Sequence, residues 1–250
     1  MFPKFETLIA RENERLIRIT LNRPGKLNAI NLQMVQELHQ LMAQLEQNHR
    51  DSVLVFCGAG EKAFAAGADV AELRERQAPE ALQGINARLM DRIADFPFVT
   101  IAEIRGYCIG GGLELALACD MRFASDDAIF AQPEVSLNII PAAGGTHRLP
   151  ALVGRGRARE MIFSGLRIDA QRAHDIGLVN DVLPAEKLTD HTETVARRIL
   201  KQGAEAIAIA KAVMTIEDRS PGFETANIAQ AHLFETPEKM QRMKDFLDKK

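Results

Sequence analysis

Glu114 and Glu134 are the residues of this sequence whose type and surroundings best suit proton transfer. Glu114 stands three positions after Gly111, in the first turn of a helix predicted from Leu113, Leu115, Leu117 and Ala118, so its carboxylate projects beside the preceding loop. Its neighbours are apolar, and a carboxylate buried among them is costly without a partner or a task. Glu134, in Gln132-Pro133-Glu134-Val135, is a second acid in an apolar setting. Two carboxylates in unlike environments suit acid/base chemistry, because one can hold a proton while the other accepts one. Each also has a plain structural reading. An acid in a first helical turn complements the helix dipole, and a glutamate after proline commonly opens a helix.

Two small-residue loops lie where such acids would need help. Gly110-Gly111-Gly112 runs from a strand into the Glu114 helix, and Phe64-Ala65-Ala66-Gly67-Ala68-Asp69 does the same one unit earlier, with Asp69 suited to cap its helix. Helix starts of this kind present backbone N–H groups to an oxygen that gains negative charge. Taken singly, each loop reads as an ordinary packing or capped turn. Together, two N–H groups from two strand-loop-helix units would make an oxyanion hole. Gly144-Gly145-Thr146 is a third close backbone approach, or only a turn.

The elements that must position these residues are legible in outline. Strands are expected over residues 6–11 and 16–21 as a hairpin, with Ile17, Ile19 and Leu21 on one face and Arg18 and Thr20 on the other. Asn31 should cap a helix carrying Met34, Leu38, Leu41 and Leu45. Strands at 52–57 and 99–104 each run into one of the small-residue loops, a helix is expected near 81–94, and a short strand near 178–182 interrupts a mostly helical remainder. The fold class is therefore α/β, with repeated strand-strand-helix units over residues 1–195 and a helical extension over 196–250.

Composition removes several function classes. A net charge of −3 from 31 basic and 34 acidic residues provides no long-range positive field for nucleic acid or an anionic membrane. No apolar stretch is long enough to span a bilayer, no secretory leader is recognisable, and the odd set Cys57, Cys108 and Cys119 fits a reducing compartment, so a cytoplasmic location is expected. The histidines, His39, His49, His147, His174, His191 and His232, show no metal-binding spacing, and no metal is expected. Walker-type loops, a strand-linked GxGxxG and a GxSxG elbow are absent, which removes support for nucleotide hydrolysis, nicotinamide binding and hydrolase chemistry.

The motifs in order resemble the crotonase superfamily, and within it the enoyl-CoA hydratases and isomerases. The resemblance rests on Leu21-Asn22-Arg23-Pro24, Leu27-Asn28-Ala29-Ile30-Asn31, the Phe64 to Asp69 loop, Gly106 to Glu114, Gln132-Pro133-Glu134, and Ile140 to Thr146. It implies a spiral of ββα units whose C-terminal helices cover the site and mediate a trimer or dimer of trimers. It also implies that the N–H groups of Ala68 and Gly111 hold a thioester oxygen, that Ala66, Gly67, Asp69 and Gly110 belong to the substrate-binding loops, and that coenzyme A enters only as part of the substrate. Glu114 and Glu134 would orient one water, the former as its base and the latter as proton donor to the alpha carbon. Family isomerases often lack the acid matching Glu114, so the presence of both favours hydration in acyl-CoA or fatty acid breakdown.

The sequence departs from the common family pattern at Asn138 and Ala142, where glycines are frequent, at Ala71, where a lysine is common, and at Glu103, in a strand that is usually apolar. Phe246, Lys249 and Lys250 are candidates to reach coenzyme A in a neighbouring subunit. Two other readings follow from the same resemblance: an isomerase or another enolate-forming enzyme, and a non-catalytic scaffold that binds RNA. A lysine-rich helix suited to the latter is not evident.

Overall fold

The computed structural model describes residues 2–48, 51–218, 228 and 230–248. His49, Lys249 and Lys250 lie outside them. The chain opens with the expected hairpin, β1 (Leu8–Asn13) antiparallel to β2 (Leu16–Leu21). Helix α1 (Leu32–Asn48) follows, and Asn31 caps it by accepting the Met34 amide at 3.1 Å.

Three strand-strand-helix units come next. In the first, β3 (Val53–Gly58) and β4 (Ala63–Ala65) lead into α2 (Val70–Glu75), α3 (Ala78–Gln83) and α4 (Ile85–Ala94). The single helix expected near 81–94 is thus two, divided at Gly84, whose φ of +59° is a left-handed turn that glycine adopts without strain. In the second unit, β5 (Val99–Ile104) and β6 (Tyr107–Ile109) lead into α5 (Gly111–Ala118); in the third, β7 (Met121–Ser125) and β8 (Ile129–Ala131) lead into α6 (Gly145–Val153) and α7 (Arg155–Ser164). Then come β9 (Ile168–Asp169), α8 (Ala170–Asp175), β10 (Asp181–Leu183), α9 (Leu188–Ile199), α10 (Ala204–Asp218) and α11 (Pro237–Asp248).

The first strand of each unit joins a six-stranded sheet ordered β1-β2-β3-β5-β7-β10, parallel from β2 onward. The second joins a four-stranded sheet ordered β4-β6-β8-β9. Each unit therefore advances one strand in both sheets, which is the spiral the resemblance implied. The parallel sheet is buried on both faces, as such sheets require. Ile17, Ile19, Leu21 and Phe56 pack with Met34, Leu38 and Leu41 of α1, while Leu16, Val53, Val99 and Phe123 pack under Leu188 and Ala196 of α9. Helix α9 spans position 195 and belongs to this packing.

The face of β2 that carries Arg18 and Thr20 is consequently covered as well. Arg18 reaches across β3 to Glu103 on β5 at 2.6 Å, and Thr189 of α9 donates to the same carboxylate oxygen at 3.0 Å. This is the partner of the unusual Glu103; Arg105 instead lies 3.4 Å from Glu61. Cys57, Cys108 and Cys119 are buried free thiols. Among the described residues, no helix is long and apolar enough to cross a membrane.

Candidate active site

Sheet register brings the two small-residue loops together. In the four-stranded sheet Ala65 of β4 pairs with Cys108 of β6. Three positions beyond these partners stand Ala68 and Gly111, so the paired strands deliver both residues to the same level and into adjacent helix starts. A Cβ on Gly111 would lie 3.1 Å from the Ala68 nitrogen. Among the described residues neither amide donates to a protein acceptor: Gly111 is a first-turn N–H of α5, and Ala68 lies just before Asp69, the N-cap of α2. A parallel bridge from Ile30 fixes the Ala68 side: Ile30 donates to Gly67 O at 2.8 Å and Asp69 donates to Ile30 O at 3.0 Å.

The triple glycine has a separate reason at each position. Gly110 has φ +53°, and a Cβ there would stand 2.9 Å from Oε1 of Glu134. At Gly111 the Ala68 amide stands close by, so a side chain would press on it, and at Gly112 a Cβ would collide with the Ala65 carbonyl oxygen. Packing and close approach both operate, on neighbouring residues.

A cavity of about 510 Å³ opens at this point. Ala66, Gly67, Ala68, Gly110, Gly111, Glu114 and Glu134 all line it. Asp69 does not. Its carboxylate accepts the Ala71 amide at 3.2 Å, capping α2, and meets Arg23 at 3.0 Å, so it secures the loop from behind. Much of the remaining wall is apolar, from Leu73, Ala81, Ile85 and Ile139 to Phe234 and Phe246, with Arg76 and Arg167 as cations. Phe246, expected at a neighbouring subunit's ligand, lines the cavity of its own chain.

The two acids are held differently. Glu114 is buried at 4% exposure, and its Oε1 accepts the Gly145 amide at 2.9 Å, which gives the Gly144-Gly145-Thr146 segment its place in the site. Glu134 begins a short 3₁₀ turn, Glu134–Leu137. Its Oε1 accepts from Gln132 Nε2 at 3.0 Å, while its Oε2 is shielded from solvent and has no hydrogen-bond partner among the described residues. Burial pushes both carboxyls above the ordinary glutamate range. Amides of Gly145 and Ala143 and the Arg148 guanidinium offset part of this at Glu114, whereas the adjacent Glu114 charge raises Glu134 further. The two acids therefore titrate as a pair, with the adjacent Glu114 charge favouring the protonated form of Glu134.

A family model for enoyl-CoA hydratase/isomerase matches residues 11–250. The chain belongs to this enoyl-CoA hydratase/isomerase family. It is 35% identical to the crotonyl-CoA hydratase of Syntrophomonas wolfei over 98% of this chain and 96% of that one. Against the short-chain-enoyl-CoA hydratase of Clostridium acetobutylicum the identity is 33%, over 99% and 97%. A crystal structure of enoyl-CoA hydratase from Bacillus anthracis superposes with a TM-score of 0.80 at 34% identity, covering 98% of this chain and 97% of that one.

Within the hydratase/isomerase family, the departures of this chain are accommodated locally. Asn138 stands at φ +58°, a left-handed conformation that asparagine tolerates better than other side chains, and its amide donates to Thr236 at 3.0 Å. Ala142 lines the cavity without polar function, and Ala71 contributes only its backbone to the Asp69 cap. Gln132 and Gly145 lie inside motifs visible in the sequence, but their hydrogen bonds to Glu134 and Glu114 depend on contacts made only in the fold. A polar residue two positions before a buried acid was the one local signal for Gln132.

Proposed function

We propose that this protein is an enoyl-CoA hydratase, adding water to a trans-2-enoyl-CoA to give the 3-hydroxyacyl-CoA. The observation that carries this reading is one cavity wall bearing a buried and a half-buried carboxylate of unlike hydrogen bonding beside two backbone amides without protein acceptors among the described residues. The thioester oxygen accepts from the Ala68 and Gly111 amides, and a water sits between the acids. Glu114 takes a proton from that water as hydroxide bonds to the beta carbon. The double-bond electrons move toward the thioester oxygen, where each donor stabilises developing charge by roughly 3–4 kcal/mol. Glu134 then delivers its proton to the alpha carbon. The pair ends with a single proton, now on Glu114, and exchange with solvent restores the starting state.

Coenzyme A serves here as the handle of the substrate, and the scheme uses no separate cofactor. Arg76 and Arg167 on the cavity wall are suited to its phosphates in place of the lysine that Ala71 replaces. The protein works in the cytoplasm as a homotrimer or dimer of trimers, in fatty acid or related acyl-CoA breakdown. Exposed Ile209, Val213 and Met214 along α10 support assembly between subunits. Loss of the conjugated absorbance of crotonyl-CoA on addition of the protein tests the reaction. A double-bond shift without hydration, using 3-enoyl thioesters, would assign it to isomerisation instead.

A further inference from the structure

The helix that follows Ala68 and the helix that opens at Gly111 are each held, at the opposite end, by a buried cation. Lys239 of α11 is 1% exposed, and its Nζ donates to the carbonyls of Arg74 and Arg76 at 2.7 Å each, at the end of α2, 4.9 Å from the centroid of Phe234. Arg122 of β7 is 5% exposed. Its Nη1 donates to Ala116 O at 3.2 Å and Cys119 O at 2.6 Å, at the end of α5, and its Nε donates to Leu178 O at 2.9 Å. Among the described residues neither cation lies within ion-pair distance of a carboxylate.

A buried charge whose recorded side-chain hydrogen bonds all go to carbonyls is expensive, and the C-terminal end of a helix is where carbonyl oxygens concentrate to receive it. The helices are short, six residues for α2 and eight for α5, so fixing the last turn constrains the first. That constraint is needed at the near ends, because Gly67, with φ +108°, and Gly110, with φ +53°, are the least restrictive residues available there. Arg23 and Asp69 steady the near side of α2, but the α5 start has no comparable side-chain anchor among the described residues.

We propose that Lys239 and Arg122 are positioning residues, which fix from behind the helix that follows the Ala68 amide and the helix that opens with the Gly111 amide, the two donors to the thioester oxygen. This rests on the hydratase reading above. It assigns to the C-terminal helix α11 a part in aligning the oxyanion hole, through Lys239.

The test combines turnover of crotonyl-CoA with the absorbance of a bound 3-aryl-enoyl-CoA, whose conjugated band moves to longer wavelength when its carbonyl is polarised. Lys239→Met should remain folded by circular dichroism, lose most of that red shift, and lower kcat by about ten- to a hundredfold, while free coenzyme A binds as before. Lys239→Arg, which keeps the charge and several donors, should recover much of both. Arg122→Lys should give a smaller loss, and Lys244→Met, on the exposed face of α11, none. A folded Lys239→Met with the normal band and kcat overturns the inference. So does a parallel loss of free coenzyme A affinity, which would mark a general role in docking α11. Should Lys239→Met fail to fold, a folded Arg122→Lys with the full red shift overturns it equally. If the wild type binds the thioester without any red shift, the oxyanion assignment itself falls and takes this inference with it.

Discussion

The backbone of Gly110 lies so close to Glu134 that a methyl group on its Cα would stand 2.9 Å from the carboxylate Oε1. Gly110→Ala therefore meets two obstacles, the positive φ of +53° and the acid itself. We expect a stability loss of about 1–3 kcal/mol from the backbone alone. Displacement of Glu134 should lower kcat for crotonyl-CoA by about a hundredfold. Thermal melts and steady-state rates on the one variant measure both.

Replacing either acid by its amide keeps its shape while removing its proton chemistry. Glu134→Gln and Glu114→Gln should each bind the thioester but turn it over roughly 10²–10⁴-fold more slowly. They should differ in one respect. The Glu114→Gln amide must present its carbonyl to the Gly145 N–H, a donor that cannot reverse, so the hydrogen bond survives only in one orientation.

Activity should follow a bell-shaped pH profile in kcat/KM. Acid protonates Glu114 and removes the base; alkali strips Glu134 and removes the donor. Both limbs should lie above the ordinary glutamate range, because burial raises both groups.

Stability follows from the same shifts with a definite sign. A carboxyl raised in the folded state lets that state bind more protons than the unfolded chain, so its contribution is complete below the unfolded pKa and is lost as pH rises through the folded one. Glu134→Gln should therefore melt higher than wild type at pH 8, by on the order of 2 kcal/mol, with the difference vanishing below about pH 4. A difference that grew toward acid would contradict the burial of an uncompensated carboxyl.

Glu103 offers a contrast outside the cavity. Glu103→Ala leaves Arg18 covered by α9 without its 2.6 Å partner, and breaking such a pair typically costs about 3–5 kcal/mol when fully buried. Arg18 retains 22% side-chain exposure, so about half of that is expected, with kcat unchanged. Chemical denaturation and the crotonyl-CoA assay together decide it.

Local patterns carried much of the fold. The alternation in Leu16–Leu21 and the Asn31 cap depend on neighbours in sequence, and both stand where periodicity put them. Gly84 was less legible, because a left-handed residue between two apolar helical stretches leaves the helical spacing nearly intact. Arg18 looked like the solvent face of a hairpin, and only the arrival of α9, more than 160 positions later, covers it. At the site, residue types suggested where the acids and loops were and that the two acids differ, but not which contacts make them differ. Those contacts come from Gly145 and Gln132, which reach Glu114 and Glu134 through distances no spacing rule encodes. Asp69 shows the opposite limit: a residue in the right motif whose side chain turns to Arg23, away from the cavity.

The three free cysteines are distributed over β3, β6 and the end of α5, all inside the folded body, and burial pushes their thiols up, Cys119 to about 12. A thiol at that pKa, walled off from reagent, is chemically silent in the native molecule. Its alkylation rate thus acts as a clock for excursions in which the ββα spiral opens, residue by residue, with no label added to the protein beforehand.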